Sequence, residues 1–198
     1  MSWNLFDKLS KKLAKQIINS GYQPDFLVGL ARGGWVLSRV LCDHLGVKDL
    51  VSLKVEHWGI TATPDGTARI KYAFDVDLTG RKVLVVDDIT DTGQSMMLAV
   101  DYVKQKTPQE IKTAALRHIR ESKFIPDYYA EEIEWRWVIF PWNYTEDMCN
   151  IIPKAAKGAK DGNEIKINLK SRFGIELTED EIKNIQAEIN RRSRGEKS

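Results

Sequence analysis

The sequence predicts an α/β fold with a mainly parallel central sheet flanked by helices, and three stretches carry that prediction. Val83-Leu84-Val85-Val86 is an unbroken apolar run rich in β-branched residues, with Gly80 upstream and polar residues downstream, the pattern of a short strand buried on both faces. Asp87 and Asp88 follow at once, and Thr92-Gly93 leads into an amphipathic segment from Gln94 to about Lys104. Phe26 to Leu30, Ala31-Arg32-Gly33-Gly34 and Trp35 to Leu45 repeat the order of strand, glycine-rich loop and helix. Ile111 to Leu116 then adds an alternating apolar strand after the second helix.

At 198 residues and 42% apolar composition, the chain suits one globular domain with room for an appendage. The net charge of +2 does not make nucleic acid the first partner to expect. Cys42 and Cys149 are far apart and lack metal-type spacing, so both are expected reduced and buried rather than in a disulfide framework or a zinc site. No apolar run reaches the ~18 residues that span a bilayer, and the start has no signal-peptide core, which predicts a cytoplasmic protein without membrane partners.

In chain order, Trp3 to Asn19 carries Leu5, Phe6, Leu9, Leu13, Ile17 and Ile18 near the helical period and stops before Gly21. Gln23-Pro24-Asp25 turns the chain into the first strand. By itself Arg32-Gly33-Gly34 reads equally as a plain turn or as a backbone cradle for an anion at a helix start. Leu50 to Val55 is a second strand, Glu56 to Gly66 is a polar loop containing His57 and Trp58, and Arg69 to Phe74 returns as a β segment. Asp77 to Lys82 then turns into the central strand.

Paired acids where a buried strand emerges would be costly in a core, but at the open carboxyl end of a parallel sheet they can face a ligand. Small residues after them let backbone amides and the Thr92 and Ser95 hydroxyls approach an anion at a helix N-terminus. This stretch, Val83 to Ser95, resembles the phosphoribosyl-diphosphate (PRPP) site of the type I phosphoribosyltransferases, whose acidic pair is followed by Asp-Thr-Gly and a hydroxyl residue. The resemblance implies that fold, with a small base-binding hood. It also implies that Asp87 and Asp88 meet the ribose hydroxyls, and that Asp91, Thr92, Gly93, Gln94 and Ser95 surround the 5-phosphate. Ala31, Arg32 and Gly33 would hold pyrophosphate in a loop that in this family often carries an unusual cis peptide. Glu56 to Gly66 is similar to the family's lid, in which His57 reads either as a pyrophosphate contact or as a solvated loop residue. Asp91 matches the family's general base, and Mg2+ is implied as cofactor with Asp88 as its protein ligand.

Arg117-His118 lies at the end of the strand that begins at Ile111, and positions 124 to 142 are unusually aromatic. An aromatic cluster by itself is more often core than ligand shelf. Asp127-Tyr128, Trp137 and Pro141-Trp142 resemble the base-binding arm of the 6-oxopurine branch, the bacterial xanthine-guanine enzymes above all. That resemblance implies that Trp137 stacks on the purine and that the Val138 backbone reads its edge. Two positions depart from the branch: His118 stands where a lysine commonly donates to the purine 6-oxygen, and Asn143 stands where an acid follows Pro-Trp. Asparagine is uncharged and would hold a cation less strongly.

From Lys154 the composition changes. Lys154 to Gly162 reads as a linker, and Glu164 to Phe173 and Thr178 to Arg192 as helices, the second with a capping-box pattern at Thr178 and Glu181 and an apolar face of Ile182, Ile185 and Ile189. The expected division is therefore a phosphoribosyltransferase domain at 1–153 and a linker with a small, mildly basic helical appendage at 154–198.

The function implied is purine salvage: transfer of 5-phosphoribose from PRPP to guanine, hypoxanthine or xanthine, giving the nucleoside monophosphate and pyrophosphate, in a homo-oligomer, dimer or tetramer. The alternatives are a transferase for another base, such as adenine or orotate, and a PRPP-binding regulator using the basic tail on nucleic acid.

Overall fold

A computed structural model describes residues 1–57, 68–159 and 161–195. Most of the expected lid, positions 58–66, lies outside the described residues. The chain forms two compact units, Met1–Trp137 and Val138–Ser198.

In the first unit, α1 (Trp3–Asn19) precedes β1 (Phe26–Ala31), α2 (Gly33–Leu45), β2 (Asp49–His57), β3 (Ala68–Tyr72), β4 (Lys82–Thr90), α3 (Gln94–Lys104), β5 (Glu110–Ile119) and β6 (Tyr128–Ile133). The α1 helix starts on Ser2, whose hydroxyl accepts from the Leu5 amide, and buries Phe6, Leu9, Leu13 and Ile17. Among the described residues the sheet has six strands in the order β3-β2-β1-β4-β5-β6. All neighbours are parallel except β2 and β3, whose antiparallel register shifts at Lys54 and Val55. Val28, Leu30, Leu53, Val83 and Val85 form one side of the core with Met96, Ala99 and Val103 of α3. Burial of these branched side chains, each contributing roughly 1.5–3 kcal/mol, holds β1 and β4 rigidly at the centre.

The strands run further than the apolar runs alone indicate. β4 continues through Asp87 and Asp88 to Thr90, because Ile89 and Thr90 still pair with Arg117 and His118 of β5. The acids thus sit on the end of the strand rather than after it. Lys71, at the start of the return from the expected lid, donates to Glu56 at 3.0 Å.

In the second unit, α4 (Tyr144–Ala156), α5 (Gly162–Phe173) and α6 (Glu179–Gly195) pack around Met148, Ile151, Ile152, Ile165, Leu169, Ile182 and Ile185. The expected boundary at 153/154 falls inside α4, which holds Pro153 and carries its apolar face on to Ala155. Asp161 caps α5 by accepting from the Asn163 and Glu164 amides, and Gly174 ends it in the left-handed conformation. Cys42 is buried as expected, but Cys149 on α4 is only half-buried; both are free thiols. Among the described residues no helix is long and apolar enough to cross a membrane.

Candidate active site

The strand order makes β1 and β4 neighbours, while the chain leaves β1 towards β2 on one side and β4 towards β5 on the other. In open parallel sheets such a divergence leaves a crevice at the carboxyl ends of the strands, where ligands bind. Both strands end here in loops that start helices. Arg32 is the N-cap of α2 and Gly33 its first residue, with no side-chain cap and no acid in the first turn. Gly93 is the N-cap of α3 in the left-handed conformation (φ 82°), again without a side-chain cap or a first-turn acid. Two helix N-termini of this kind favour an anion through their amides and dipoles.

The glycines are required by close approach. A Cβ on Gly33 would lie 1.8 Å from Asp88 Oδ2, and one on Gly34 would lie 2.7 Å from the Val86 carbonyl oxygen and 2.9 Å from Asp87 Oδ1. The β1–α2 loop is therefore seated on the acidic pair of β4. Within that loop the Ala31–Arg32 peptide is cis. A Cβ on Gly93 would meet Phe124 Cβ at 2.5 Å, so Phe124 closes the other side of the Thr92-Gly93 turn.

Asp88 is 8% exposed. Its amide donates to Asp87 Oδ1 at 2.9 Å. Burial and then the neighbouring Asp88 charge push the Asp87 carboxyl well above the usual carboxylate range, with the Asp88 amide acting in the opposite direction. A cation or a set of hydroxyl donors would relieve that repulsion. Asp91 is exposed, Thr92, Gln94 and Ser95 are half-buried, and Thr92 Oγ1 accepts from the Gln94 amide at 3.4 Å.

On the side of β4 away from β1, Thr90 of β4 and His118 of β5 are register partners, with Thr90 Oγ1 2.9 Å from His118 Nδ1. Burial lowers the His118 pKa, which Glu132 partly offsets. Tyr129 flanks the imidazole at 5.1 Å between ring centroids. On the strand position before it, Arg117 reaches Glu131 at 2.7 Å. Trp137 ends the first unit and is 50% exposed. Val138 and Asn143 belong to the second unit, where Asn143 is the N-cap of α4 and its amide donates to the Phe140 carbonyl at 3.1 Å. Phe140 is buried there and stacks on Trp142 at 4.9 Å.

The structure thus brings Gly33 against Asp88 and Gly34 against Asp87, in the loop that also holds Ala31 and Arg32, and carries Asp91 to Ser95 on the turn after β4. Gly34 and Thr90 are additional members of this neighbourhood. Gly34 was legible as part of a glycine-rich turn. Thr90 acquires its role only through strand register.

An α/β chain with paired carboxylates and two glycine-led helix starts at the carboxyl end of one sheet has the construction of a protein that binds a phosphorylated sugar. The family described as phosphoribosyl transferase domain matches residues 2–148. The hypoxanthine-guanine phosphoribosyltransferase of Aquifex aeolicus is 31% identical over 139 residues, covering 65% of this chain and 76% of that one. The Mus musculus protein of the same name is 38% identical over 73 residues, only 34% of its length. Among solved structures, the Pyrococcus horikoshii purine phosphoribosyltransferase is 30% identical with a TM-score of 0.63, covering 72% of this chain and 91% of its own. Helicobacter pylori xanthine-guanine-hypoxanthine phosphoribosyltransferase is 25% identical with a TM-score of 0.63, covering 76% and 95%. The chain belongs to the phosphoribosyltransferase family and is an enzyme of that class.

Proposed function

We propose that this enzyme transfers 5-phosphoribose from PRPP to a 6-oxopurine (guanine, hypoxanthine or xanthine), giving the nucleoside monophosphate and pyrophosphate. The observation that carries this reading is the seating of Gly33 on Asp88, which joins an anion-cradling loop to a hydroxyl-binding acidic pair in one crevice. The names of the Aquifex, Pyrococcus and Helicobacter relatives support a purine acceptor.

In this reading Ala31, Arg32 and Gly33 hold the diphosphate, Asp87 and Asp88 orient the ribose by accepting from its hydroxyls, and Asp91 to Ser95 hold the 5-phosphate. Departure of diphosphate leaves positive character on the ribose C1, which the two carboxylates stabilise electrostatically. Asp91 takes the proton from the purine ring nitrogen as general base. For the base, Trp137 is the stacking candidate and His118 the donor candidate within the first unit, and the Val138 backbone and Asn143 are the candidates within the second.

Hard carboxylate oxygens with mutual repulsion fit Mg2+, and Asp88 is the group that would hold it. Among the described residues no group of three or more His, Cys, Asp or Glu side chains could hold a metal ion, and Mg2+ commonly binds through one or two carboxylates with substrate phosphates and retained waters. When bound, Mg2+ supplies Lewis-acid neutralisation of the leaving diphosphate. The enzyme is further expected in the cytoplasm as a dimer or tetramer.

The test is a steady-state assay with PRPP and Mg2+ against guanine, hypoxanthine, xanthine, adenine and orotate, following pyrophosphate release. Turnover confined to 6-oxopurines is expected. Turnover of only adenine or orotate would overturn the base assignment, and PRPP binding without turnover of any base would overturn the catalytic one.

A further inference from the structure

We propose that Phe124 is a positioning residue for PRPP, anchoring the β5–β6 loop in the core so that this loop holds the Thr92-Gly93 turn in the shape that receives the 5-phosphate. This inference rests on the transferase reading above, in which Asp91 to Ser95 surround that phosphate. It assigns part of the affinity for PRPP to a residue that lies outside the acidic pair and both glycine turns.

The loop touches the turn directly. It leaves β5 at Ile119, whose carbonyl accepts from the Ser122 amide at 2.9 Å, and so bends back at once. The next amide, that of Lys123, donates to the Thr92 carbonyl at 3.4 Å. A Cβ on Gly93 would fall 2.5 Å from Phe124 Cβ, 2.8 Å from the Phe124 nitrogen and 3.0 Å from Ser122 Oγ. Gly93 is therefore pressed against the backbone of the loop while it holds the left-handed conformation (φ 82°) that starts α3.

Phe124 fixes the loop in its turn. It packs against the core cluster that contains Met96, Ala99 and Val103 of α3, whereas Ile125 beside it is 70% exposed. The stem of the loop is held on its other side by the Arg120 amide, which donates to the Ile133 carbonyl at 3.0 Å. One residue thus meets the core under α3 and, through its backbone and Cβ, the glycine at the start of that helix.

Backbone amides at a helix start bind an anion best when they already converge on it, because ordering a loose turn consumes binding free energy. Glycine permits the left-handed conformation but supplies no rigidity, since it has the most backbone freedom to lose. The anchored loop supplies it from outside the turn. Inorganic pyrophosphate, which in this reading meets Ala31 to Gly33, does not depend on that support.

The experiment compares wild type, Phe124→Ala and Phe124→Leu below their melting temperatures, by calorimetric titration with ribose 5-phosphate and, separately, with inorganic pyrophosphate and Mg2+. The KM for PRPP and kcat are measured on the same proteins. In Phe124→Ala the affinity for ribose 5-phosphate is expected to fall, and the KM for PRPP to rise, by about tenfold or more. Pyrophosphate affinity should stay within about twofold of wild type, as expected of an independent site. Phe124→Leu refills the core position and should bring ribose 5-phosphate affinity back to within about threefold. If Phe124→Ala does not fold, Phe124→Val carries the same expectation. Equal losses for both ligands would make Phe124 a residue of general packing, and unchanged affinity for ribose 5-phosphate would leave it no part in the site; either result overturns the proposal. So does a wild type that does not bind ribose 5-phosphate. Failure of the wild type to use any purine overturns the transferase reading instead, a result separable from the titrations because they contain no base.

Discussion

Gly33 lies so close to the Asp88 carboxylate that a Cβ at that position would fall 1.8 Å from Asp88 Oδ2. No rotamer of an added methyl escapes the contact, since Cβ is fixed by the backbone. Gly33→Ala must displace either the loop or the carboxylate. We expect catalytic efficiency with PRPP to fall by at least ~100-fold, because small misplacements of binding groups cost that much. Far-UV circular dichroism should stay unchanged. Wild-type kinetics in Gly33→Ala would show that the loop and the acidic pair do not act on one substrate.

Asp87 is a strained member of the site rather than a stabilising one. Its carboxyl is held above the ordinary value of 3.8 by burial and by Asp88, so the folded protein binds this proton more tightly than the unfolded chain does. The sign follows: stability declines as pH rises from the unfolded pKa through the folded one, and the cost is fully present above it. Asp87→Asn keeps an acceptor for the Asp88 amide and removes the charge. Its melting temperature at pH 7.5 should exceed wild type by about 2–4 °C, corresponding to ~1 kcal/mol, with loss of PRPP turnover. Thermal melts across pH test this, and a lower melting temperature for Asp87→Asn at pH 7.5 would contradict it.

Much of this site is legible in sequence because its parts are local. Val83–Val86 encodes a strand by β-branching, Gly93 and Gly33 mark backbone that must turn or come close, and the acids sit between them. Helix α1 and the Thr178 cap are likewise encoded by short-range periodicity and spacing. The extension of β4 to Thr90 was hidden, since charged and polar residues there are kept in the strand by pairing with β5. Helix α4 is illegible in the sequence for a different reason. Met148, Ile151, Ile152 and Ala155 have helical spacing, but Pro153 and the Lys- and Ala-rich continuation resemble a linker. The partnership of Thr90 with His118 joins residues 28 apart, and no local pattern reports it.

Asp91 is exposed on the turn before α3, where its carboxylate can reach a ligand. Asp91→Asn preserves shape and removes the base. We expect kcat to fall by roughly 100- to 10,000-fold, the range of general-base contributions, with PRPP affinity and melting temperature unchanged. Pre-steady-state turnover with hypoxanthine and a PRPP binding isotherm separate these. Unchanged kcat would remove Asp91 from the mechanism.

Trp137 is half exposed, so little packing depends on it in the free protein. Trp137→Ala should leave stability within ~0.5 kcal/mol of wild type. Loss of stacking on a base costs roughly 1–3 kcal/mol, which corresponds to a rise in KM for the purine of about 5- to 150-fold with the KM for PRPP little changed. If the melting temperature dropped sharply and both KM values rose together, Trp137 would be a structural residue instead.

The second unit offers a test in which stability and catalysis separate. Thr178 Oγ1 accepts from the Glu181 amide at 3.2 Å, and Glu181 Oε2 accepts from the Thr178 amide at 2.7 Å, closing a reciprocal cap on α6. Thr178→Ala should lower stability by about 1 kcal/mol through loss of an N-cap. Hydrogen bonds from the Thr178 backbone and then its side chain hold the Glu181 pKa below its ordinary 4.5. The contribution of Glu181 is therefore present above pH 4.5 and disappears as pH falls through the lower folded value. Denaturant melts of wild type and Glu181→Gln should converge on acidification, while kcat with PRPP at neutral pH stays the same for both. A stability difference that persists unchanged at low pH would mean that the carboxylate's charge plays no part in the cap.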